Sequence, residues 1–184
     1  MDESTKGHRS VEQVRRLLAY MGFCATRLEL QRPPGPDVLA EIAGRKIGIE
    51  TTDYHGGEQV SGGSNLRKRE EKDVRDGRPT AYWVPIDPLP GLTKRIEEKS
   101  KKRYETSGID EVWLAILAGV PQHGAVASTF MFTLFLNCEK LHSQTDAMLR
   151  NSQFSRCYLF CGLTAGDHPV VYLWTKADRW HELK

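Results

Sequence analysis

The chain has 184 residues, 39% hydrophobic and 27% charged, with a net charge of +2. That composition fits a folded globular protein and excludes a disordered one, and the near-neutral balance means that any nucleic-acid contact must come from local clusters. No apolar run reaches the ~20 residues needed to span a bilayer, and the polar segment from Met1 to Arg9 lacks the apolar centre of a secretory signal. A single cytoplasmic domain over 1–184 without membrane contact is expected, with 1–9 as a disordered tail.

Ser10 suits a helix N-cap, and Val11, Val14, Leu17, Leu18 and Met21 recur on one helical face, predicting a helix over 10–21 that Gly22 ends. Residues 24–30 read as a strand. Arg32-Pro33-Pro34-Gly35-Pro36 is a stiff loop leading into a hairpin, with strands over 37–42 and 46–52 joined at Ala43-Gly44. In that register Ile42 faces Arg45, Glu41 faces Lys46 and Asp37 faces Glu50. Val38, Ala40, Ile42, Ile47, Ile49 and Thr51 then form one apolar face for the core. Asp37, Leu39, Glu41, Lys46, Gly48, Glu50 and Thr52 share the other, where Gly48 leaves space beside the acids.

Residues 55–63 are a glycine-rich loop beginning at His55, followed by a charged helix over 64–74 that carries Arg67 and Arg69. A short strand over 82–86 is marked as an edge by Pro85. After a turn over 87–91 come a helix over 92–104 and a buried strand over 112–117 that includes Trp113. The apolar run over 130–136 fits either a strand or a buried helix. A helix over 141–150 and strands over 156–162 and 170–174 complete the chain.

Two features carry chemistry. Directly opposed residues of a hairpin stand within about 5 Å at Cβ, so Asp37 and Glu50 repel each other unless a cation lies between them. Such oxygen ligands suit Mg²⁺ or Mn²⁺; the plainer alternative is a surface hairpin with scattered acids. The second feature is the helix over 92–104, where Lys94, Arg95, Lys99, Lys101, Lys102 and Arg103 outnumber Glu97 and Glu98. Leu92, Ile96 and Tyr104 mark its packed side, and Lys99 borders that side and can reach toward the sheet. Taken singly these lysines read as solvated side chains; as a cluster beside a metal site they suit phosphate. The cysteines Cys24, Cys138, Cys157 and Cys161 lack a Cys-x-x-Cys pair. They read as small buried apolar side chains, with a Cys138–His142–Cys157–Cys161 zinc module as the rival.

The order helix, strand, Pro36-Asp37, Glu50-Thr51-Thr52, helix, strand resembles the PD-(D/E)XK nuclease superfamily. The resemblance implies an α/β fold: a restriction-endonuclease-like αβββαβ core over 10–118, with a central mixed sheet flanked by helices. An insertion would lie around 54–90, and 119–184 would be a C-terminal extension of the same domain. It also implies Asp37 and Glu50 as metal ligands for Mg²⁺ or Mn²⁺, with the Thr51 backbone carbonyl as a third. Thr52 departs from the pattern by standing where the motif lysine is expected. Threonine can bond a phosphate or a water but supplies no charge, so Lys99, then Lys102, is the expected substitute. Glu12 matches an acidic residue that some members contribute to the metal, although its neighbour Arg16 makes a surface ion pair an equal reading. Arg67 and Arg69 would clamp a nucleic-acid backbone, and His55 would contact phosphate or pass a proton. The expected activity is metal-dependent phosphodiester hydrolysis, with DNA favoured by analogy and a homodimer favoured if both strands are cut. The alternative is a catalytically degenerate protein of the same fold that binds nucleic acid or regulates.

Overall fold

A computed structural model describes residues 3–54, 72, 75–77, 87–118, 136–161 and 170–183. The expected loop over 55–63, helix over 64–74 and strand over 82–86 lie outside these residues, apart from Lys72 of the helix. So do His55, Arg67, Arg69 and all but Leu136 of the apolar run over 130–136. The described elements are α1 (Glu3–Tyr20), β1 (Ala25–Leu30), β2 (Val38–Ile42), β3 (Arg45–Tyr54), α2 (Leu89–Ser100), β4 (Glu111–Ala118), α3 (Cys138–Arg150), β5 (Phe154–Cys161), β6 (Val170–Thr175) and β7 (His181–Leu183). No helix among the described residues is long and apolar enough to cross a membrane.

The seven strands form one mixed sheet in chain order. β1, β2 and β3 are an antiparallel meander, β3, β4 and β5 are parallel, and β6 and β7 return antiparallel. The parallel order runs in one direction across the sheet. Right-handed crossovers therefore put α2 and α3 on the same face. Leu89, Leu92 and Ile96 of α2 and Leu141 and Leu149 of α3 bury there against Leu114, Ile116, Leu159 and Trp174. Val14, Leu17 and Leu18 of α1 cover the opposite face, on Val38, Ala40, Ile47, Ile49, Trp113 and Tyr158. Covered on both sides, β4 is buried from Val112 to Ala118, as its unbroken apolar run requires.

The helices differ from their expected bounds for identifiable reasons. α1 opens at Glu3, not at Ser10, so residues 3–9 belong to the helix and are not a tail. Tertiary packing holds this polar turn: Gly7 is buried under Leu30 of β1, and a Cβ there would collide with Leu30 Cδ2. Ser10 is consequently a mid-helix residue facing the sheet. α2 starts earlier than expected because Pro90 sits in its first turn, where proline's missing N–H has no helical partner to lose. It also ends earlier, at Ser100. The backbone N–H and C=O of Tyr104 are instead bonded by the Gln153 side chain, at 2.8 and 3.2 Å, which draws the ring into the core against Phe154.

The starting ends of the three parallel strands are tied by Glu111. Its carboxylate accepts from Trp113 Nε1 at 2.7 Å and Ser155 Oγ at 2.9 Å, and it pairs with Arg45 at 2.7 Å and Arg156 at 3.6 Å. Burial pushes its pKa up, but the two hydrogen bonds and two guanidiniums outweigh burial and hold it below the usual carboxylate range. A carboxyl depressed in the folded state stabilises above its unfolded pKa, and that contribution vanishes as pH falls through the folded value. Glu111→Gln is expected to cost on the order of 1–2 kcal/mol at neutral pH. In urea titrations the gap from wild type should close as the pH drops below the ordinary glutamate range.

Candidate functional site

The candidate site grows from the β2–β3 hairpin. Ala43 and Gly44 both have positive φ, 50° and 75°, the turn geometry whose twist matches the flanking strands. The turn sets Ile42 opposite Arg45, Glu41 opposite Lys46 and Val38 opposite Ile49, as the alternation predicts. Asp37 lies one residue before β2, so its expected pairing with Glu50 falls beyond the ladder, which ends at Val38 and Ile49. The space that Gly48 was expected to leave open is filled: a Cβ there would come 2.7 Å from Pro36 Cγ and 3.3 Å from Ile109 Cδ1. Gly48 thus lets the proline loop lie down on β3, which delivers Asp37 to its position.

Asp37 is anchored on its neighbour's backbone. Its Oδ2 accepts from both the N–H and the hydroxyl of Thr51, each at 2.8 Å, and the Thr51 hydroxyl shares a further hydrogen bond with Ser10 Oγ at 3.2 Å. Oδ1 accepts no hydrogen bond from a described residue. On the α2 side of the sheet, Glu50 is only 3% exposed. Lys99, in the last turn of α2, donates to Glu50 Oε1 at 2.6 Å and to the Thr51 carbonyl at 3.1 Å. Lys102, just past the helix, reaches the same Oε1 at 3.4 Å. The two lysines differ in burial, with side chains 15% and 54% exposed.

Tyr104 completes the group and was not singled out as a site residue by its sequence context, where it read only as the packed side of a helix. Its hydroxyl is buried and makes no well-formed hydrogen bond with the described residues. Burial, then the carboxylate of Glu50 and more weakly that of Asp37, push the phenol well above its ordinary pKa, so it is a proton donor throughout the physiological range. Ser10 was read as a helix cap; its contact with Thr51 becomes visible only once α1 is docked.

The remaining candidates are placed as follows. Thr52 is half-buried on the Glu50 face, and its hydroxyl makes no hydrogen bond to a described residue. Glu12 lies on the exposed side of α1 and pairs with Arg15 at 2.5 Å, not with Arg16. It is α1's Ser10 and Gln13, the latter bonded to Asp53 at 3.2 Å, that meet β3. Among the described residues no three His, Cys, Asp or Glu side chains group as metal ligands. That holds for the zinc module as well, and burial raises the pKa values of Cys138, Cys157 and Cys161, keeping their thiols protonated. The Asp37 set is of another kind: two carboxylates, one carbonyl, and a buried hydroxyl that makes no well-formed hydrogen bond with a described residue. Hard oxygen donors and a donor left to bond a water fit Mg²⁺ or Mn²⁺. No protein-family model matches the chain, and no curated protein matches its sequence.

Two stability measurements probe this arrangement. In Gly48→Ala the new methyl group must displace Pro36, at about 1–3 kcal/mol, read as a lower urea midpoint. Removing one partner of a buried pair strands the other. Lys99→Met should therefore cost on the order of 3 kcal/mol and exceed Glu50→Gln, because a lysine left alone can extend to water. The double variant is expected to lose less than the sum of the singles.

Proposed function

We propose that this protein is a divalent-metal-dependent nuclease, with Asp37, Glu50 and the Thr51 carbonyl as the metal ligands. One observation carries the reading: Glu50 Oε1 and the Thr51 carbonyl, both expected as ligand groups, already converge on a single cation, the Lys99 ammonium. The order α1, three antiparallel strands, α2 and a parallel β4 is the order expected of an αβββαβ nuclease core. Lys99, from the helix that follows, contacts Glu50 and the Thr51 carbonyl, which supports it as the substitute for the charge that Thr52 lacks.

Mg²⁺ or Mn²⁺ would supply Lewis acidity to the phosphate and lower the pKa of a water. The protein's residues do the rest. Thr51 and Ser10 fix the Asp37 carboxylate, leaving Oδ1 to the metal. Lys99 places positive charge against the phosphate as negative charge builds on its oxygens. The Tyr104 hydroxyl donates a hydrogen bond to a phosphate oxygen or to the attacking water, and Thr52 orients that water. As water adds to phosphorus it releases a proton to solvent, the bond to the leaving oxygen breaks, and that oxygen takes up a proton from solvent. Lys102, half-exposed beside Glu50, suits a flanking backbone phosphate. Arg67, Arg69 and His55 are proposed for the same nucleic-acid contact, with DNA favoured by analogy.

A second reading, a nuclease-like protein that binds nucleic acid without cutting it, is favoured by the same lysine. Lys99 already neutralises Glu50, so the site is electrostatically satisfied without a metal. A cleavage panel of DNA and RNA substrates with Mg²⁺ and Mn²⁺ decides between them. Cleavage is expected only with metal, falling at least about 100-fold in Asp37→Ala and in Glu50→Ala. Undiminished cleavage in either variant removes the assignment, and binding without cleavage on every substrate selects the second reading.

A further inference from the structure

The Lys99 ammonium spans 2.6 Å to Glu50 Oε1 and 3.1 Å to the Thr51 carbonyl. Both belong to the proposed ligand set, so the lysine and a divalent ion bid for the same oxygens. A cation within hydrogen-bond distance of both atoms excludes a second one from between them, by sterics and by like-charge repulsion. Lys102 is different. It approaches Glu50 Oε1 at 3.4 Å, makes no hydrogen bond to the Thr51 carbonyl, and its side chain is 54% exposed.

We infer that Lys99 is a tethered competitor of the metal, so that metal binding requires its ammonium to leave the Glu50–Thr51 pair. The inference rests on the metal-site reading above and adds to it a coupling. An anionic phosphodiester offers Lys99 another partner, and a lysine drawn to it vacates the ligand pair. Metal and phosphodiester then bind each other's complex more tightly than the free protein, by the reciprocity of linkage. In the free protein the lysine compensates the buried carboxylate, and metal loads weakly.

Two geometric facts make the exchange feasible. Lys99 stands in the last turn of α2, and its side chain retains 15% exposure, so the ammonium has an outlet to solvent. The hydroxyl of Tyr104 faces the same carboxylate but makes no well-formed hydrogen bond with a described residue. A phosphate or water entering the site therefore meets a buried donor whose contact with Glu50 is poorly formed.

Titration calorimetry with Mn²⁺ alone tests the inference on the wild type, Lys99→Gln and Lys102→Gln. Both variants remove one positive charge beside Glu50, but only the first empties the ligand pair. If the lysine-closed state holds about nine-tenths of the population, Lys99→Gln binds Mn²⁺ about tenfold tighter than wild type. Lys102→Gln should gain much less. Equal gains in the two variants would mean simple charge removal and overturn the competition while leaving the metal site standing. If Mn²⁺ binds none of the three proteins, both the inference and the metal-site reading fall. Binding by Lys99→Gln but not by wild type supports both.

Should Lys99→Gln unfold, ¹⁵N NMR of the wild-type lysine side chains gives the same information. The Lys99 ammonium signal should be protected from exchange in chelator and lose that protection at saturating Mg²⁺. A signal unchanged by saturating Mg²⁺ overturns the inference.

Discussion

A carboxylate buried as deeply as Glu50 has to be compensated, and that requirement organises this half of the molecule. The desolvation cost of an isolated buried charge is several kcal/mol or more. Glu50 sits on β3 with its side chain directed to the face covered by α2 and α3. Compensation comes from a lysine whose own helix is fixed by packing. Leu89, Leu92 and Ile96 seat α2 on the sheet, and Gly91 lets it close against Tyr54, whose hydroxyl donates to the Pro88 carbonyl at 3.0 Å. With the helix held at that distance, Lys99 reaches the Glu50 carboxylate from its last turn. The apolar core sets the position from which the ionic contact is made.

The second carboxylate is held by a different device. Asp37 stands where β2 has not yet begun to pair, so the Thr51 N–H of β3 would otherwise lack a partner from that side. The side chain of Asp37 supplies it. Satisfying a backbone donor in this way fixes one carboxylate oxygen and leaves the other open. The approach to Asp37 is held as well: the Pro34 carbonyl accepts from Glu105 N at 3.1 Å, and Pro36 lies over Gly48. Loop, hairpin and the segment after α2 therefore meet at one point. Two carboxylates, a carbonyl, a lysine and a buried phenol are brought together by elements far apart in the chain.

Legibility varied with the physics of each element. The hairpin was readable because its period-two alternation admits one register and a one-residue slip would bury its charged face. The buried strand at 112–117 was readable because a continuous apolar run bounded by polar segments has few other uses. Helix ends were less legible. The start of α1 depends on Gly7 meeting Leu30, and the start of α2 on a proline pair that reads as a turn from local sequence. The short β7 strand escaped notice because three residues carry too little pattern to register. Tyr104 read as a helix residue because nothing local announces that Gln153 will claim its backbone.

The sequence by itself determined the register of the hairpin from Val38–Ile49 to Ile42–Arg45, because strand alternation and a two-residue turn are local properties. It also marked Lys99 as the lysine bordering the packed side of its helix, since helical spacing from Ile96 is local too. Only the tertiary structure decided that Lys99 would sit on the Glu50 carboxylate and the Thr51 carbonyl together. It alone decided that Glu12 would point away while Ser10 joined Asp37 through Thr51, and that Tyr104 would bring a buried hydroxyl to the same place. Those outcomes depend on where packed helices come to rest on the sheet. That is the sum of many apolar contacts between distant parts of the chain, and no window of sequence contains it.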